Sequence, residues 1–233
     1  MGIEVLYEDN HLIAVNKSAG MLSQGDKTGD SPLLEEVREY IRLKYKKQGN
    51  VFLGLIHRID RPVSGVLLFA RTSKALARMN KLFQEKEVQK TYWAIVAKKP
   101  APETGKLENF LVKDSKKNKS FVVNQGQKSA KAASLTYRLL QSLDNYHLLE
   151  VKPHTGRPHQ IRVQLANIGC IIKGDLKYGA PRSNKDASIC LHAKAVDFVH
   201  PVRKEPMRIE APVPKGDALW SACEKWERKK GTE

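Results

Sequence analysis

The sequence predicts an α+β fold, with a mixed, largely antiparallel central sheet and a few helices flanking it. Three observations predict it. Apolar runs of strand character outnumber amphipathic helical segments. Several of these runs follow one another through short turns, as antiparallel neighbours do. The chain has 233 residues, 41% of them hydrophobic, enough for a sizeable core, and no internal repeat or low-complexity segment interrupts it.

Residues 4–9 and 11–17 read as two short strands joined at Asp9-Asn10, followed by a loop rich in Gly and Ser. Ser31-Pro32 reads as an N-cap with proline in the first turn of a helix. Leu33, Leu34, Val37, Tyr40, Ile41 and Tyr45 then share one helical face. Glu35 and Glu36 suit the helix start, Lys46 and Lys47 its end, and Gly49 the stop. Residues 51–57 and 66–71 are apolar runs that predict buried strands, with a polar loop over 58–65 between them. Ser73 caps a second helix with Leu76, Met79, Leu82 and Phe83 inward, ending near Lys86. Residues 88–97 return as a strand, Pro100, Pro102 and Gly105 mark a connection, and residues 113–119 form a basic turn between two strands. Residues 135–141 and 146–152 make a hairpin about Asp144-Asn145. A short helix over 159–168 stops at Gly169, a strand follows over 189–199, and a terminal amphipathic helix spans 217–230. The economical reading is a single catalytic-sized domain over 1–233, with a core over 4–212 and a basic C-terminal helix in 213–233.

The 41 Lys and Arg against 25 Asp and Glu leave a net charge of +16. Such a surface asks for an anionic partner, nucleic acid first and an anionic membrane surface second. No run of about 18 apolar residues could span a bilayer. The first residues lack the basic-then-apolar pattern of a secretory leader, so a cytoplasmic address is expected. Cys170, Cys190 and Cys223 are odd in number and widely spaced, which argues against a disulfide framework or a zinc finger. His57, His154, His159 and His192 with Asp60 match no ligand spacing, so no metal is expected. Neither a Gly-Lys-Ser phosphate loop nor a glycine-rich dinucleotide fingerprint is present.

Two polar clusters stand out. In His57-Arg58-Ile59-Asp60-Arg61-Pro62-Val63-Ser64-Gly65, a carboxylate sits between two cations and two apolar strands. The cations favour the ionised form, fit for a nucleophile or base; a salt-bridged turn would show the same pattern. In Lys152-Pro153-His154-Thr155-Gly156-Arg157-Pro158-His159-Gln160-Ile161-Arg162, a helix begins with basic residues and no carboxylate. Free backbone amides already make that end positive, so it suits an anion, whether a phosphate or a distant carboxylate, unless it is an ordinary solvated basic end. Asp60 is a natural candidate for that carboxylate. Tyr92 reads equally as a core strand residue or as a flat face and hydroxyl for a base.

Taken in order, these segments resemble the RluA-type family of RNA pseudouridine synthases. His57-Arg58-Ile59-Asp60-Arg61 with Ser64-Gly65 and residues 66–70 carries its signature. Lys90-Thr91-Tyr92-Trp93-Ala94, residues 155–163, Gly174-Asp175 with Tyr178-Gly179, and Leu191-His192-Ala193 follow in the family's order. The start, Tyr7-Glu8-Asp9 through Asn16-Lys17 and Gly20, is similar too, so the resemblance runs from about Val5 to Pro212. Ser18, Pro62-Val63 and Gln164 depart from the usual pattern without removing a catalytic group.

The resemblance implies isomerisation of uridine to pseudouridine within ribosomal or transfer RNA, with no metal or organic cofactor. It assigns Asp60 as the catalytic carboxylate and Tyr92 as a ring packed on the target base. Arg162 is expected to pair with Asp60, and Leu191 to line the uracil pocket. Arg58, Arg61, Arg157 and His159 become substrate contacts. The family's small N-terminal RNA-binding domain is not expected here, a monomer is expected, and the basic residues 113–119 and 225–230 read as an RNA track in that domain's place. The rival reading is a catalytically silent RNA-binding or ribosome-associated protein; a metal-dependent nuclease would need a carboxylate cluster that the chain does not show.

Overall fold

The turn chemistry at Asp9-Asn10 does what its residue types suggest. The Asp9 Oδ1 accepts the N–H groups of His11 (2.8 Å) and Leu12 (2.7 Å), folding β1 (Val5–Glu8) back on β2 (Leu12–Lys17). In this computed structural model, which describes residues 2–25 and 31–230, eleven strands and four helices are present among the described residues. Residues 26–30 of the Gly- and Ser-containing loop and residues 231–233 lie outside them. The chain divides into two compact units, residues 1–90 with 193–212 and residues 91–192 with 213–233.

In the first unit, β2 pairs antiparallel with β4 (Ser64–Ala70), whose seven residues are all buried. That burial explains why Ser64-Gly65-Val66-Leu67-Leu68-Phe69-Ala70 reads as an unbroken run rather than an alternating one. The sheet order is β1, β2, β4, β10 (Leu191–Val199), and β11 (Pro206–Glu210) pairs with β10. Helix α2 (Ser73–Gln84) turns Ala75 and Met79 into a cluster with Leu12, Val66, Leu68, Val88 and Phe198. Helix α1 (Leu33–Lys44) buries Leu33, Val37 and Ile41. Gly65 has φ +115°, and a Cβ there would come within 2.2 Å of the Ala193 carbonyl oxygen, so only glycine fits the start of β4.

Four local expectations change. Pro32, not Ser31, occupies the N-cap position of α1, in an extended conformation with no side-chain cap bond. The helix ends at Lys44, and Lys46 rather than Gly49 is the first residue after it in the left-handed region, at φ 47°. Thr72, not Ser73, caps α2, its side chain accepting the Ala75 N–H. The strand expected over 51–57 contracts to β3 (Gly54–Leu55), paired with Ala70 and Phe69 of β4. The ladder ends because the imidazole of His57, not its backbone, takes the next donor, the Leu68 N–H, at 3.2 Å.

The second unit is built on an antiparallel sheet in the order β5 (Gln89–Val96), β9 (His147–Pro153), β8 (Lys131–Ser142), β6 (Thr104–Asp114), β7 (Lys119–Val123). Helix α3 (Gln160–Asn167) covers part of it, with Val163 packed among Leu111, Ala133 and Tyr178. Gly169, at φ +77°, follows the helix where its stop was expected. Helix α4 (Ala218–Lys230) anchors through Trp220 and Cys223, both buried. The sequence did not announce β11 or the 3-10 turn Leu176–Tyr178, since both are short and one begins with proline.

Candidate active site

The first unit carries the loop between β3 and β4 that holds Arg58, Asp60 and Arg61. This loop has no ladder of its own, so its shape comes from bonds to the chain after β2. The Lys17 side chain is fully buried, and its Nζ donates to the carbonyls of Ser18 (3.0 Å), Met21 (2.8 Å) and Arg61 (3.1 Å). The Gly20 N–H donates to the Arg61 carbonyl at 2.8 Å, and Arg61 Nε returns a bond to the Gly20 carbonyl at 2.9 Å. Buried Ser23 donates to the Ile59 carbonyl (3.0 Å) and accepts the Ile59 N–H (3.4 Å). The backbone is therefore fastened on both sides of Asp60, at Ile59 and at Arg61. Asp60 is half-buried, and its carbonyl accepts the Val63 N–H at 3.0 Å to close the turn.

Burial pushes the Lys17 ammonium down to about 7, while the Asp60 carboxylate pulls the other way. Three carbonyl partners match the three donors of an ammonium, so the geometry fits the charged form. Behind the loop, the His57 ring stacks on Phe83 with centroids 5.4 Å apart, and burial holds this imidazole down to about 3. Its Nε2 accepts the Leu68 N–H, which leaves the proton of the neutral ring on Nδ1. Arg58 and Arg61 are both exposed.

The second unit holds Tyr92, Arg157, His159, Arg162 and Leu191. Tyr92 lies buried on β5 opposite Val151. Leu191 is buried at the start of β10, just after Cys190, whose N–H reaches the Lys173 carbonyl and whose carbonyl accepts the Ile95 N–H, both at 2.9 Å. The start of α3 is organised by Gln160. Its Oε1 accepts from Thr155 Oγ1 (2.7 Å) and the Arg157 N–H (3.0 Å), and its Nε2 donates to the Ser134 carbonyl (3.0 Å). Arg157 Nε donates to the Ala132 carbonyl at 2.9 Å. His159 sits at φ 54° in the left-handed region, its Nδ1 2.9 Å from the Tyr178 hydroxyl.

The basic helix start does hold a carboxylate. Buried Arg162 makes a two-pronged pair with buried Asp175, Nε to Oδ2 at 2.7 Å and Nη2 to Oδ1 at 2.8 Å. The guanidinium also lies 5.1 Å from the Tyr178 ring centroid. Losing one partner of such a pair strands a buried charge, at a cost of about 3–5 kcal/mol. The residue list drawn from the sequence therefore omitted Lys17, Ser23, Gln160, Asp175 and Tyr178. Asp175 and Tyr178 did stand in recognised segments, and Lys17 in another; nothing in the pattern marks Ser23. Among the described residues, no group of three His, Cys, Asp or Glu is set to hold a metal ion.

A family model described as RNA pseudouridylate synthase matches residues 11–167, about two thirds of the chain, including the Asp60 loop, Tyr92 and Arg162. The chain belongs to this family, in its RluA-type branch. It is an RNA pseudouridine synthase, an isomerase. It is similar to the ribosomal large subunit pseudouridine synthase C of Rickettsia prowazekii, 33% identical over 216 residues, covering 90% of this chain and 68% of that one. It is also similar to the tRNA pseudouridine synthase C of Vibrio vulnificus, 34% identical over 236 residues, covering 94% and 92%. Among solved structures, the human RNA pseudouridylate synthase domain containing 4 shares the fold, with a TM-score of 0.78 at 23% identity, covering 97% of this chain and 93% of that one. The expected α+β class with a largely antiparallel sheet is thus the fold of the synthase.

Proposed function

We propose that this synthase acts on uridines of ribosomal large-subunit RNA, with Asp60 as its catalytic carboxylate. The observation that carries the reading is the likeness to ribosomal large subunit synthases over 90% of the chain, signature loop included. The near-complete two-way coverage of the Vibrio vulnificus relative supports transfer RNA as the second reading.

In the reaction the bond from uracil N1 to ribose C1′ breaks, the base turns, and C5 bonds to C1′. The proton leaves C5 and one is gained at N1, so atoms and electrons balance without a redox partner. Asp60 acts on the uridine as nucleophile or base. Tyr92 packs on the base and serves the proton removal at C5. Arg162 is the cation of the site, Leu191 lines the uracil pocket, and Arg58, Arg61, Arg157 and His159 contact the RNA. These roles come from the match to the family's motifs. The strap on either side of Asp60 supports the first of them, because a catalytic carboxylate needs a fixed backbone. The buried two-pronged grip on Arg162 likewise suits a positioned group. A stacked uridine is out of reach, so the target must be a flipped or loop nucleotide, at about a few kcal/mol.

We place the enzyme in the cytoplasm as a monomeric catalytic domain without a cofactor. No helix among the described residues is long and apolar enough to cross a membrane. The test is to incubate wild-type protein and Asp60→Asn with ribosomal and transfer RNA transcripts and to map pseudouridine. We expect wild-type product in ribosomal RNA, none with Asp60→Asn, RNA affinity within about twofold, and no effect of EDTA. Normal turnover by Asp60→Asn would overturn the assignment of the carboxylate.

A further inference from the structure

Strand alternation gives the outer end of the second unit's sheet two different faces. One face sends Leu111, Val122 and Ala133 against Val163 and Tyr178. The other carries two cross-strand pairs, Val112 with Phe121 and Phe110 with Val123. Phe110, Val112 and Val123 are half-buried, and Phe121 is 38% exposed. An apolar strip therefore meets solvent on β7, the last strand of this sheet.

The strip lies in a strongly basic stretch. Residues 113–131 contain six lysines and a single acid, Asp114. That carboxylate is engaged locally, its Oδ1 accepting the N–H groups of Lys116 (2.9 Å) and Lys117 (3.0 Å) at the hairpin turn. Lys119 Nζ sits 5.5 Å from the Phe121 ring centroid and 5.0 Å from that of Tyr178. The hairpin is held in place from below. The Ser120 N–H reaches the Tyr178 hydroxyl (2.9 Å), Ser120 Oγ the Pro158 carbonyl (2.7 Å), and Lys177 Nζ the Asn118 carbonyl (3.0 Å).

We propose that this hairpin face docks a single-stranded segment of the RNA substrate, with Phe121 stacking on a base and Lys116, Lys117 and Lys119 meeting its phosphates. An exposed ring with an ammonium beside it supplies both parts of single-strand binding, a stacking face and charge neutralisation. Charge complementarity selects the partner: lysine is depleted at protein–protein interfaces, whereas a stretch with six lysines and one acid, Lys119 beside the ring, suits a polyanion. The inference rests on the RNA-modifying function proposed above.

The test measures binding of a fluorescent 20-nucleotide oligouridine to the full chain, with product formation on ribosomal RNA followed in parallel. Phe121→Ala should weaken binding about tenfold, Phe121→Leu should remain weak, and Phe121→Trp should restore it. The double variant Lys116→Gln with Lys117→Gln should lower the slope of log affinity against log salt by about 1.4, at about 0.7 per phosphate. Unchanged melting temperatures confirm that an exposed ring was removed without unfolding the sheet. Wild-type affinity in Phe121→Ala with normal product formation would overturn the docking site and leave the proposed function standing. A dimer dissociated by Phe121→Ala would overturn it in favour of a second copy of the chain. Loss of binding in Phe121→Ala while wild-type protein makes no pseudouridine would support the docking site and sink the proposed function.

Discussion

At the residue scale, the polar groups of each unit are set by burial and specific partners more than by charge count. The Arg162–Asp175 pair shows it: the helix start attracts an anion, and the fold answers with a carboxylate thirteen positions downstream. His57 shows it in another way. Unfolded, an imidazole takes its proton near 6.5, whereas burial holds His57 down to about 3. Between those values the unfolded chain binds one proton more, so the stability linked to His57 is complete above about 6.5 and falls as the pH drops toward 3. The substitution His57→Gln keeps an acceptor for the Leu68 N–H but removes the titration. Urea unfolding at pH 7, 5 and 4 should show a shallower acid loss in His57→Gln than in the wild type, by up to one proton in slope. Equal slopes would mean that His57 does not report on folding. The signature drew attention to His57 because it adjoins Asp60, but its bond to Leu68 depends on where two strands run and had no local sign.

At the element scale, the strands and helices were legible wherever one face is buried along a whole segment. β4 and α2 are examples, because burial imposes a period that the residues must follow. The larger error falls where a tertiary bond decides the outcome, at β3, which is cut short by a side chain; the caps of α1 and α2 each lie one residue from the expected position. The signature loop is likewise shaped by tertiary bonds. Its sequence proclaims polar residues, yet its shape is owed to Lys17, Gly20 and Ser23, some forty residues earlier. Replacing Lys17 by Met would take the ammonium from the carbonyls of Ser18, Met21 and Arg61 and loosen the loop at Arg61, where the Gly20 bonds remain. Thermal unfolding of Lys17→Met should show a loss of about 2–4 kcal/mol. Its kcat for pseudouridine formation should fall at least tenfold, while affinity for RNA stays within about twofold. Wild-type stability and turnover in Lys17→Met would reduce the strap to an incidental contact.

At the scale of the whole molecule, the net charge is unevenly divided. The second unit has 22 Lys and Arg against 11 Asp and Glu, or +11, and the first has 19 against 14, or +5. The sequence predicted an anionic partner from the total alone; the division into units could not be read from it, because the first unit is closed by residues 193–212. Contacts with phosphate release counterions, so the number of charged groups touching RNA sets the salt dependence of binding, whereas lysines facing solvent do not. Helix α4 belongs to the second unit, where buried Trp220 and Cys223 fix its inner face, and Lys225 and Lys229 are exposed one turn apart. On α2 of the first unit, Lys74 and Lys81 are also exposed and serve as the control. Binding of ribosomal RNA should be measured from about 50 to 200 mM salt for two double variants. Lys225→Gln with Lys229→Gln should flatten the slope by about 1, and Lys74→Gln with Lys81→Gln should leave it unchanged. Equal effects of the two pairs would mean that the synthase holds RNA by its overall positive field, with no preference for the more basic unit.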